Sequence, residues 1–143
     1  MILVDANLLV YATNPSSTEH KRARTWLDSR LGGETRIGLP WESLLAFMRL
    51  ATNRRLFPRA IAVGDAWRIV ESWLGSEAAF VPVATARHAE ILGPLLATRG
   101  LGPNDVPDAH LAALAIEHGL TLCSADAGFA RFAALRWENP LEG

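Results

Sequence analysis

The sequence of 143 residues has little cysteine and no long apolar run, and each shortage excludes a class of protein. Its one cysteine, Cys123, cannot form an intramolecular disulfide and is typical of a reducing compartment. The four histidines show no zinc-site spacing and have no cysteine pair to join them. No apolar stretch approaches the ~20 residues of a membrane span, and Asp5 and Asn7 interrupt the N-terminal run that a signal peptide would need. We therefore expect a soluble, cytoplasmic protein with no membrane-spanning segment.

An excess of either charge is missing as well. The formal net charge is -1, so no overall basic field indicates a nucleic-acid ligand. Lys21 is the only lysine, and every other basic residue is arginine. Arginine favours bidentate contacts with phosphate or carboxylate groups, but a GC-rich genome would produce the same bias. The basic residues alone therefore leave the ligand open.

Apolar and aromatic residues, in contrast, are plentiful. Half of the residues are hydrophobic, the mean hydropathy is +0.13, and five tryptophans and five phenylalanines are present. The length is that of one domain, which we expect to span residues 1–143. The aromatic residues exceed the need of one modest core, so we also expect an apolar surface that contacts a partner chain.

Short apolar runs alternate with segments of helical periodicity along the chain. The predicted strands cover residues 1–4, 35–39, 80–83, 120–123 and 135–138. The predicted helices cover residues 8–13, 19–30, 41–52, 60–74, 86–98, 104–118 and 127–132. This alternation predicts an α/β fold: a three-layer sandwich with a mostly parallel central sheet flanked by helices. Pro82 cannot donate a ladder hydrogen bond, so the third strand is predicted near an edge.

Four carboxylates occupy special positions in this pattern. Asp5 and Asp126 follow predicted strands, and Glu42 and Asp108 lie in the first turns of predicted helices. Each alone is explained by a structural role, because such acids cap turns or complement the helix dipole. In a parallel sheet, however, strand ends and the starts of the next helices share one rim, where ligands bind. All four acids are therefore expected to converge there.

A convergence of four acids predicts a cation site. Two charges ~5 Å apart repel by roughly 3 kcal/mol at an effective dielectric constant of about 20, so such a cluster needs a bound cation or a shared proton. Oxygen ligands favour Mg²⁺ or Mn²⁺ over zinc. Asp108 shares a helix face with three apolar residues, Leu111, Ala112 and Ala115, so it is expected to point inward. Asn7 and Ser124 could ligate the metal or orient its water, and Asp105 is interpreted as a peripheral cap.

Several segments together resemble the PIN-domain toxins of VapC type. They are residues 2–7 (Ile-Leu-Val-Asp-Ala-Asn), 39–42, 47–49, 108–115, 124–132 (Ser-Ala-Asp-Ala-Gly-Phe-Ala-Arg-Phe) and 136–141. The resemblance covers essentially the whole chain. It implies a PIN-like fold and an endoribonuclease that uses Mg²⁺ or Mn²⁺, with Asp5, Glu42, Asp108 and Asp126 as the catalytic, metal-binding acids. Gly128 stands where family members often carry a second acid, which leaves one-metal and two-metal chemistry open.

The resemblance also implies partners. It implies a homodimer, neutralised by a VapB-like antitoxin and often part of a larger toxin–antitoxin complex. RNA is expected to enter as a single strand or a loop of tRNA, rRNA or mRNA, because duplex RNA hides its bases. The resemblance also implies cleavage by a metal-activated water that leaves 5′-phosphate and 3′-hydroxyl ends. Candidate phosphate contacts are Arg49, Arg54, Arg55 and Arg59. We expect the antitoxin to cover an apolar groove near Trp41, Phe47 and the helices that follow Thr18 and Ala60.

Two other functions are weighed against the ribonuclease. Asp5 could form an aspartyl-phosphate, as in haloacid-dehalogenase-like phosphatases or receiver domains. Those proteins normally need a lysine at the site, whereas Lys21 lies on a predicted surface helix, and Asn7 stands where the phosphatases want a second aspartate. Alternatively, a degenerate PIN fold could only bind a partner, but the presence of all four acids argues against that reading.

Overall fold

The computed structural model describes residues 1–142, and five parallel strands form its centre. The strands are β1 (Ile2–Val4), β2 (Ile37–Gly38), β3 (Ala79–Phe80), β4 (Thr121–Cys123) and β5 (Trp137–Glu138). The helices are α1 (Ala6–Thr13), α2 (His20–Leu31), α3 (Trp41–Ala51), α4 (Val63–Leu74), α5 (His88–Leu96) and α6 (Val106–Glu117). Two 3₁₀ turns, Pro103–Asp105 and Ala127–Arg131, complete the described elements.

Helices cover both faces of the sheet, so the core has two halves. Successive side chains of a strand point to opposite faces, and β1 follows this rule. Its Ile2 and Val4 pack with α1 to α4, whereas Leu3 packs with α5 and α6. Near-continuous apolar strands are typical of a sheet that is buried on both faces. The predicted three-layer α/β sandwich is confirmed, and its sheet is entirely parallel.

The strand order places β1, at the start of the chain, in the centre of the sheet. The order across the sheet is β3-β2-β1-β4-β5, so the chain builds outward from β1 and later returns to its other side. Such a reversal opens a crevice beyond the carboxyl ends of the central strands, where α/β proteins bind their ligands. The crevice lies between the ends of β1 and β4. Asp5 and Ser124 are the first residues after those strands.

Several element boundaries differ from the prediction, chiefly because strands end where their ladder partners end. The third strand is only Ala79–Phe80, although it does lie at an edge, as the proline predicted. The last strand, expected from residue 135, begins at Trp137. α1 begins at Ala6 rather than at residue 8, because Asp5 caps it directly after β1. α4 begins at Val63, and residues 127–131 form a 3₁₀ turn.

None of the helices within residues 1–142 combines the length and the apolar character that a membrane span requires.

One face of α3 carries the core, which corrects an expectation about Phe47. Its side chain is fully buried and its ring centroid lies 4.8 Å from that of Trp73, so Phe47 cannot line a surface groove. Leu45, two residues earlier on the same helix, is 57% exposed. The two positions therefore separate the buried and solvent faces of the helix that carries Glu42.

Truncation of these two side chains should have very different effects on stability. We expect Phe47→Ala to lower the free energy of unfolding by about 3–5 kcal/mol, because it leaves a cavity against Trp73. Leu45→Ala, the control on the exposed face, should lower it by less than about 1 kcal/mol. Urea unfolding monitored by circular dichroism measures both values. Equal losses in the two variants would contradict the placement of α3.

Candidate active site

Asp5 connects the end of β1 to strand β4 and to helix α1. Its backbone N–H donates to the Cys123 carbonyl at 3.0 Å, which joins the ends of β1 and β4. Its Oδ1 accepts a hydrogen bond from the Ala6 N–H at 2.8 Å and so caps α1. Its Oδ2 accepts from the Ser124 hydroxyl at 2.7 Å. The structural role that the sequence suggested for Asp5 is therefore present, and the carboxylate also binds the first residue after β4.

The Ser124 hydroxyl is the centre of a small hydrogen-bond network at this edge. While it donates to Asp5, it accepts from Asn7 Nδ2 at 3.1 Å and from the Asp126 N–H at 3.0 Å. Asn7 Oδ1 accepts in turn from the Ala125 N–H at 3.3 Å. Ser124 is fully buried, so its hydroxyl holds the network in place from the interior of the protein. The two small polar residues singled out in the sequence thus contact the first carboxylate directly or through one hydroxyl.

Asp126 and Asp108 complete a group of three acids with Asp5. Asp126 caps the following 3₁₀ turn by accepting from the Gly128 N–H at 2.8 Å. Burial, together with the charges of Asp5 and Asp126, raises the pKa of Asp108 to about 6. Burial also raises the pKa of Asp5, and the charge of Asp126 adds to that effect. Burial is the larger cause of both shifts, and the charges of the neighbouring aspartates add to it.

Glu42 occupies a different place. It lies in the first turn of α3, and its Oε2 is 3.3 Å from Nε2 of His110. His110 is on α6, two residues after Asp108. The charged groups that shift the Asp108 pKa are Asp5, Asp126, Arg131 and Asp105, and Glu42 is not among them. The structure therefore brings the three aspartates together and joins Glu42 to the same helix through an imidazole.

The acids fit a hard divalent cation in their chemistry. Within residues 1–142, no three carboxylate, imidazole or thiol groups are already arranged to chelate one ion. Carboxylates repel each other when no cation lies between them, and those of Asp5 and Asp126 each accept hydrogen bonds from their neighbours. Burial, and after it the charges of Asp5 and Asp126, raises the pKa of Asp108, and a bound cation would offset both effects. An all-oxygen donor set suits Mg²⁺ or Mn²⁺.

Arg131 is a neighbour of the acids that the sequence reasoning did not assign. Its Nη2 lies 2.9 Å from Asp105 and 3.7 Å from Asp108. Asp105 also accepts from the Gly102 N–H at 2.8 Å, which agrees with its interpretation as a peripheral cap. The arginine lies within the motif at residues 124–132, five residues after Asp126. This short spacing is the sequence feature that could have placed Arg131 near the acids.

The arginines proposed as phosphate contacts are Arg49, Arg54, Arg55 and Arg59. All four are exposed, and within residues 1–142 none of them forms an ion pair with an acid. Gly128, where relatives of this type often carry an acid, donates its N–H to Asp126. A Cβ there would lie 3.0 Å from Asp126 Oδ1, so a side chain at this position would displace that carboxylate.

The electrostatics of the three aspartates predict the pH dependence of stability in metal-free protein. A carboxyl group whose pKa is raised by folding binds its proton more tightly in the folded state, so its stabilising effect is lost as the pH rises from 3.8 to about 6. We expect Asp108→Asn to abolish this loss, raising Tm by about 2–5 °C at pH 7–8 and leaving it nearly unchanged near pH 4. Differential scanning fluorimetry in EDTA measures the difference.

Asp105→Asn is the matched control, because it removes the same charge from a neighbouring carboxyl group whose pKa is lowered by folding rather than raised. Hydrogen bonds from the Gly102 N–H and Arg131 lower the Asp105 pKa, so this variant should be less stable than the unmodified protein at neutral pH. An Asp108→Asn protein that is destabilised as much as Asp105→Asn would show that the three aspartates do not repel one another.

The chain is similar to known proteins in both sequence and fold. The chain matches the PIN domain family over residues 2–135. It is 47% identical over 140 residues to Ribonuclease VapC37 of Mycobacterium tuberculosis, which covers 98% of this chain and 97% of that protein. It is 41% identical over 143 residues to VapC ribonuclease Mb2897 of Mycobacterium bovis, which covers 100% of this chain and 97% of that protein.

Solved structures share the same fold at lower identity. VapC20 of Mycobacterium tuberculosis, described as a sarcin-ricin loop cleaving toxin, aligns with a TM-score of 0.67 at 22% identity over 95% of this chain and 99% of that one. VapBC-1 from nontypeable Haemophilus influenzae aligns with a TM-score of 0.70 at 16% identity over 99% of this chain and 100% of that one. The sequence matches decide the assignment: the chain belongs to the PIN domain family and, within it, to the VapC ribonucleases.

Proposed function

We propose that this chain is a divalent-metal-dependent endoribonuclease and acts as the toxin of a type II toxin–antitoxin system. Asp5, Asp108, Asp126 and Glu42 would hold Mg²⁺ or Mn²⁺. The single observation that supports this most directly is the grouping of three aspartates beyond the ends of β1 and β4, where burial, and after it the charges of Asp5 and Asp126, raises the pKa of Asp108. A repelling cluster of this kind is useful to a protein only where a cation or a proton binds.

The chain's own residues contribute orientation and charge to such a reaction. A divalent ion bound here supplies positive charge to the scissile phosphate and lowers the pKa of a water molecule. The Ser124 hydroxyl holds the Asp5 carboxylate by one oxygen, and Asn7 holds that hydroxyl. Arg131, beside Asp108, is a cation that an RNA phosphate could contact. No side chain is needed as the nucleophile, and the products would carry 5′-phosphate and 3′-hydroxyl ends.

Single-stranded or loop RNA is the proposed substrate. The crevice is a rim of carboxylates at the edge of the sheet, and a phosphodiester reaches it most readily when the strand is not paired in a helix. The similar VapC20 is described as cleaving the sarcin-ricin loop, which supports an RNA loop as the class of target. The exposed arginines at 49, 54, 55 and 59 are proposed to contact the phosphates that flank the cleavage site.

The aspartyl-phosphate alternative has less support. It needs a lysine near Asp5, and the only lysine, Lys21, is exposed on α2. Ser124 and Asn7, which surround Asp5 instead, cannot neutralise a phosphoryl group.

A VapB-like antitoxin is the proposed partner, and its proposed groove lies between the helices that follow Thr18 and Ala60. A cavity of about 390 Å³ lies between α2 and α4 with α1 at its base. Ala12, Leu27, Leu31, Ile69 and Trp73 line it, with Arg24 and Asp28 at its polar side. An amphipathic segment would bury its apolar face there. A similar solved structure, VapBC2 from Rickettsia felis bound to a promoter DNA fragment, supports a partner of this type.

A homodimer is proposed from the apolar residues that remain exposed on α3 and α4. Trp41 and Trp67 are 38% and 40% exposed and stack on each other with ring centroids 6.3 Å apart. Leu45 and Val63 on the same helices are 57% and 65% exposed. Contiguous exposed aromatic and aliphatic groups are typical of an interface. We propose that the protein works in the cytoplasm as one domain per subunit.

Removal of the Asp5 charge tests the ribonuclease directly. We expect Asp5→Asn to abolish cleavage of single-stranded RNA in Mn²⁺ and toxicity on induction, because the carboxylate is needed to hold the metal. Folding should survive, with Tm within about 3 °C of the unmodified protein, since asparagine still offers an oxygen to the Ala6 N–H. RNA cleavage assays and sequencing of 5′ ends after induction measure the loss.

Asp65→Asn is the control for that experiment. Asp65 is an exposed carboxylate on α4 paired with Arg68, so its neutralisation should leave cleavage unchanged. An Asp5→Asn protein that remains fully active and toxic would contradict the proposed metal site.

Hydrogen exchange tests the antitoxin groove. On binding of a VapB-like antitoxin, amide exchange should slow along α2 and α4, whose apolar residues line the cavity. Exchange in α5, on the opposite face of the sheet, should change little. Unchanged exchange in α2 and α4 in the saturated complex would contradict this location.

A further inference from the structure

A chain of four polar side chains links Glu42 to the interior of the protein. His110 Nε2 lies 3.3 Å from Glu42 Oε2, and His110 Nδ1 lies 2.9 Å from His88 Nε2. His88 Nδ1 then lies 2.8 Å from Glu117 Oε2. The order Glu42–His110–His88–Glu117 therefore joins α3, α6 and α5, and returns to α6 at its last residue.

Burial increases steadily along this chain away from the acids. The exposed fraction of the side chain is 46% at Glu42, 33% at His110, 15% at His88 and 0% at Glu117. His110 and Glu117 are seven residues apart, so both lie on one face of α6, and His88 bridges the two turns between them. The inner end is anchored, because Glu117 Oε1 also accepts from the Thr85 N–H at 2.9 Å.

The carboxylates at the two ends of the chain fix where its N–H groups lie. Both can only accept, so His88 donates to Glu117 from Nδ1 and His110 points an N–H at Glu42 from Nε2. One further proton lies between His88 Nε2 and His110 Nδ1. A buried carboxylate thereby selects the tautomer of one imidazole and the ring orientation of the next, as outer partners do for residues that bind metals.

Packing alone does not account for these residues. A buried carboxylate with two imidazoles stabilises a fold no better than apolar side chains of similar volume would. The apolar residues around the chain, such as Leu95 and Leu111, show that the space between α5 and α6 is otherwise filled that way. The one exposed end of the chain is a carboxylate that the proposed function assigns to metal binding.

We infer that His110, His88 and Glu117 are positioning residues that hold the Glu42 carboxylate in the orientation needed for a divalent cation. The inference rests on the proposed metal-dependent function. His110 Nε2 lies at ion-pair distance from one carboxylate oxygen, Oε2, and within residues 1–142 no ion-pair partner approaches the other oxygen, Oε1. That oxygen is left for the ion, while the rest of the chain restricts rotation of the side chain.

His88→Asn tests the link that lies one residue away from Glu42. Asparagine keeps an N–H close to the position of Nδ1, so Glu117 retains its partner and the fold is preserved, but no atom replaces Nε2 toward His110. We expect the variant to bind Mn²⁺ about 10-fold more weakly by isothermal titration calorimetry. At saturating Mn²⁺, its KM for RNA should stay within about two-fold of the original value, because no RNA contact is removed.

Two controls separate positioning from general damage. His118→Ala removes another histidine hydrogen bond near the end of α6, to the Val83 carbonyl, and should leave Mn²⁺ affinity unchanged. In a Glu42→Gln background, His88→Asn should have no further effect on Mn²⁺ affinity, because its influence passes through Glu42. Glu117→Gln, which keeps the acceptor for Thr85, should reproduce the loss and covers the case of a His88→Asn protein that does not fold.

The outcomes distinguish this inference from the proposed function. Normal Mn²⁺ affinity in folded His88→Asn and Glu117→Gln, or an equal loss with and without Glu42, would overturn the positioning role while leaving the nuclease intact. An unmodified protein that binds no Mn²⁺ and cleaves no RNA would overturn both. A loss of affinity that disappears in the Glu42→Gln background supports the inference.

Discussion

Repulsion among three carboxylates is the constraint that the surrounding residues offset. The parallel register of β1 and β4 places Asp5 and Asp126 beyond neighbouring strand ends, and the first turn of α6 adds Asp108. Asp5 is compensated by the Ser124 hydroxyl and a backbone N–H, and Asp126 by another N–H. Asp108 has only Arg131 at 3.7 Å, and burial, and after it the charges of Asp5 and Asp126, raises its pKa to about 6.

The position of these acids was predictable from the sequence because it depends on local pattern and topology. A short apolar run that ends in Asp5, and another followed by Ser124 and Asp126, mark strand ends without knowledge of any contact. A strict alternation of strands and helices then implies a parallel sheet, in which such ends share an edge. The inward face of Asp108 followed from the helical spacing of its apolar neighbours. These features use the two strongest signals in a sequence, namely periodicity and element order.

Other features were not predictable because they depend on distances between elements far apart in the chain. Residues 81–83 are as apolar as a strand, but they have no ladder partner and remain outside the sheet. Phe47 is indistinguishable by type from an interface residue, and only packing against Trp73 shows that it belongs to the core. Glu117 looks like a solvated acid near a helix end. Its burial depends on His88, 29 residues earlier in the chain, and no spacing rule connects the two.

The outer strands of the sheet have a consequence for a subunit that has no partner chain bound to it. Both outer strands, Ala79–Phe80 and Trp137–Glu138, contain two residues each, and Pro82 follows closely behind the first. An unpaired strand edge recruits other chains by offering a row of free backbone groups, and a row this short offers few. A single subunit can therefore carry a fully parallel, apolar sheet without presenting a template for fibrous aggregation.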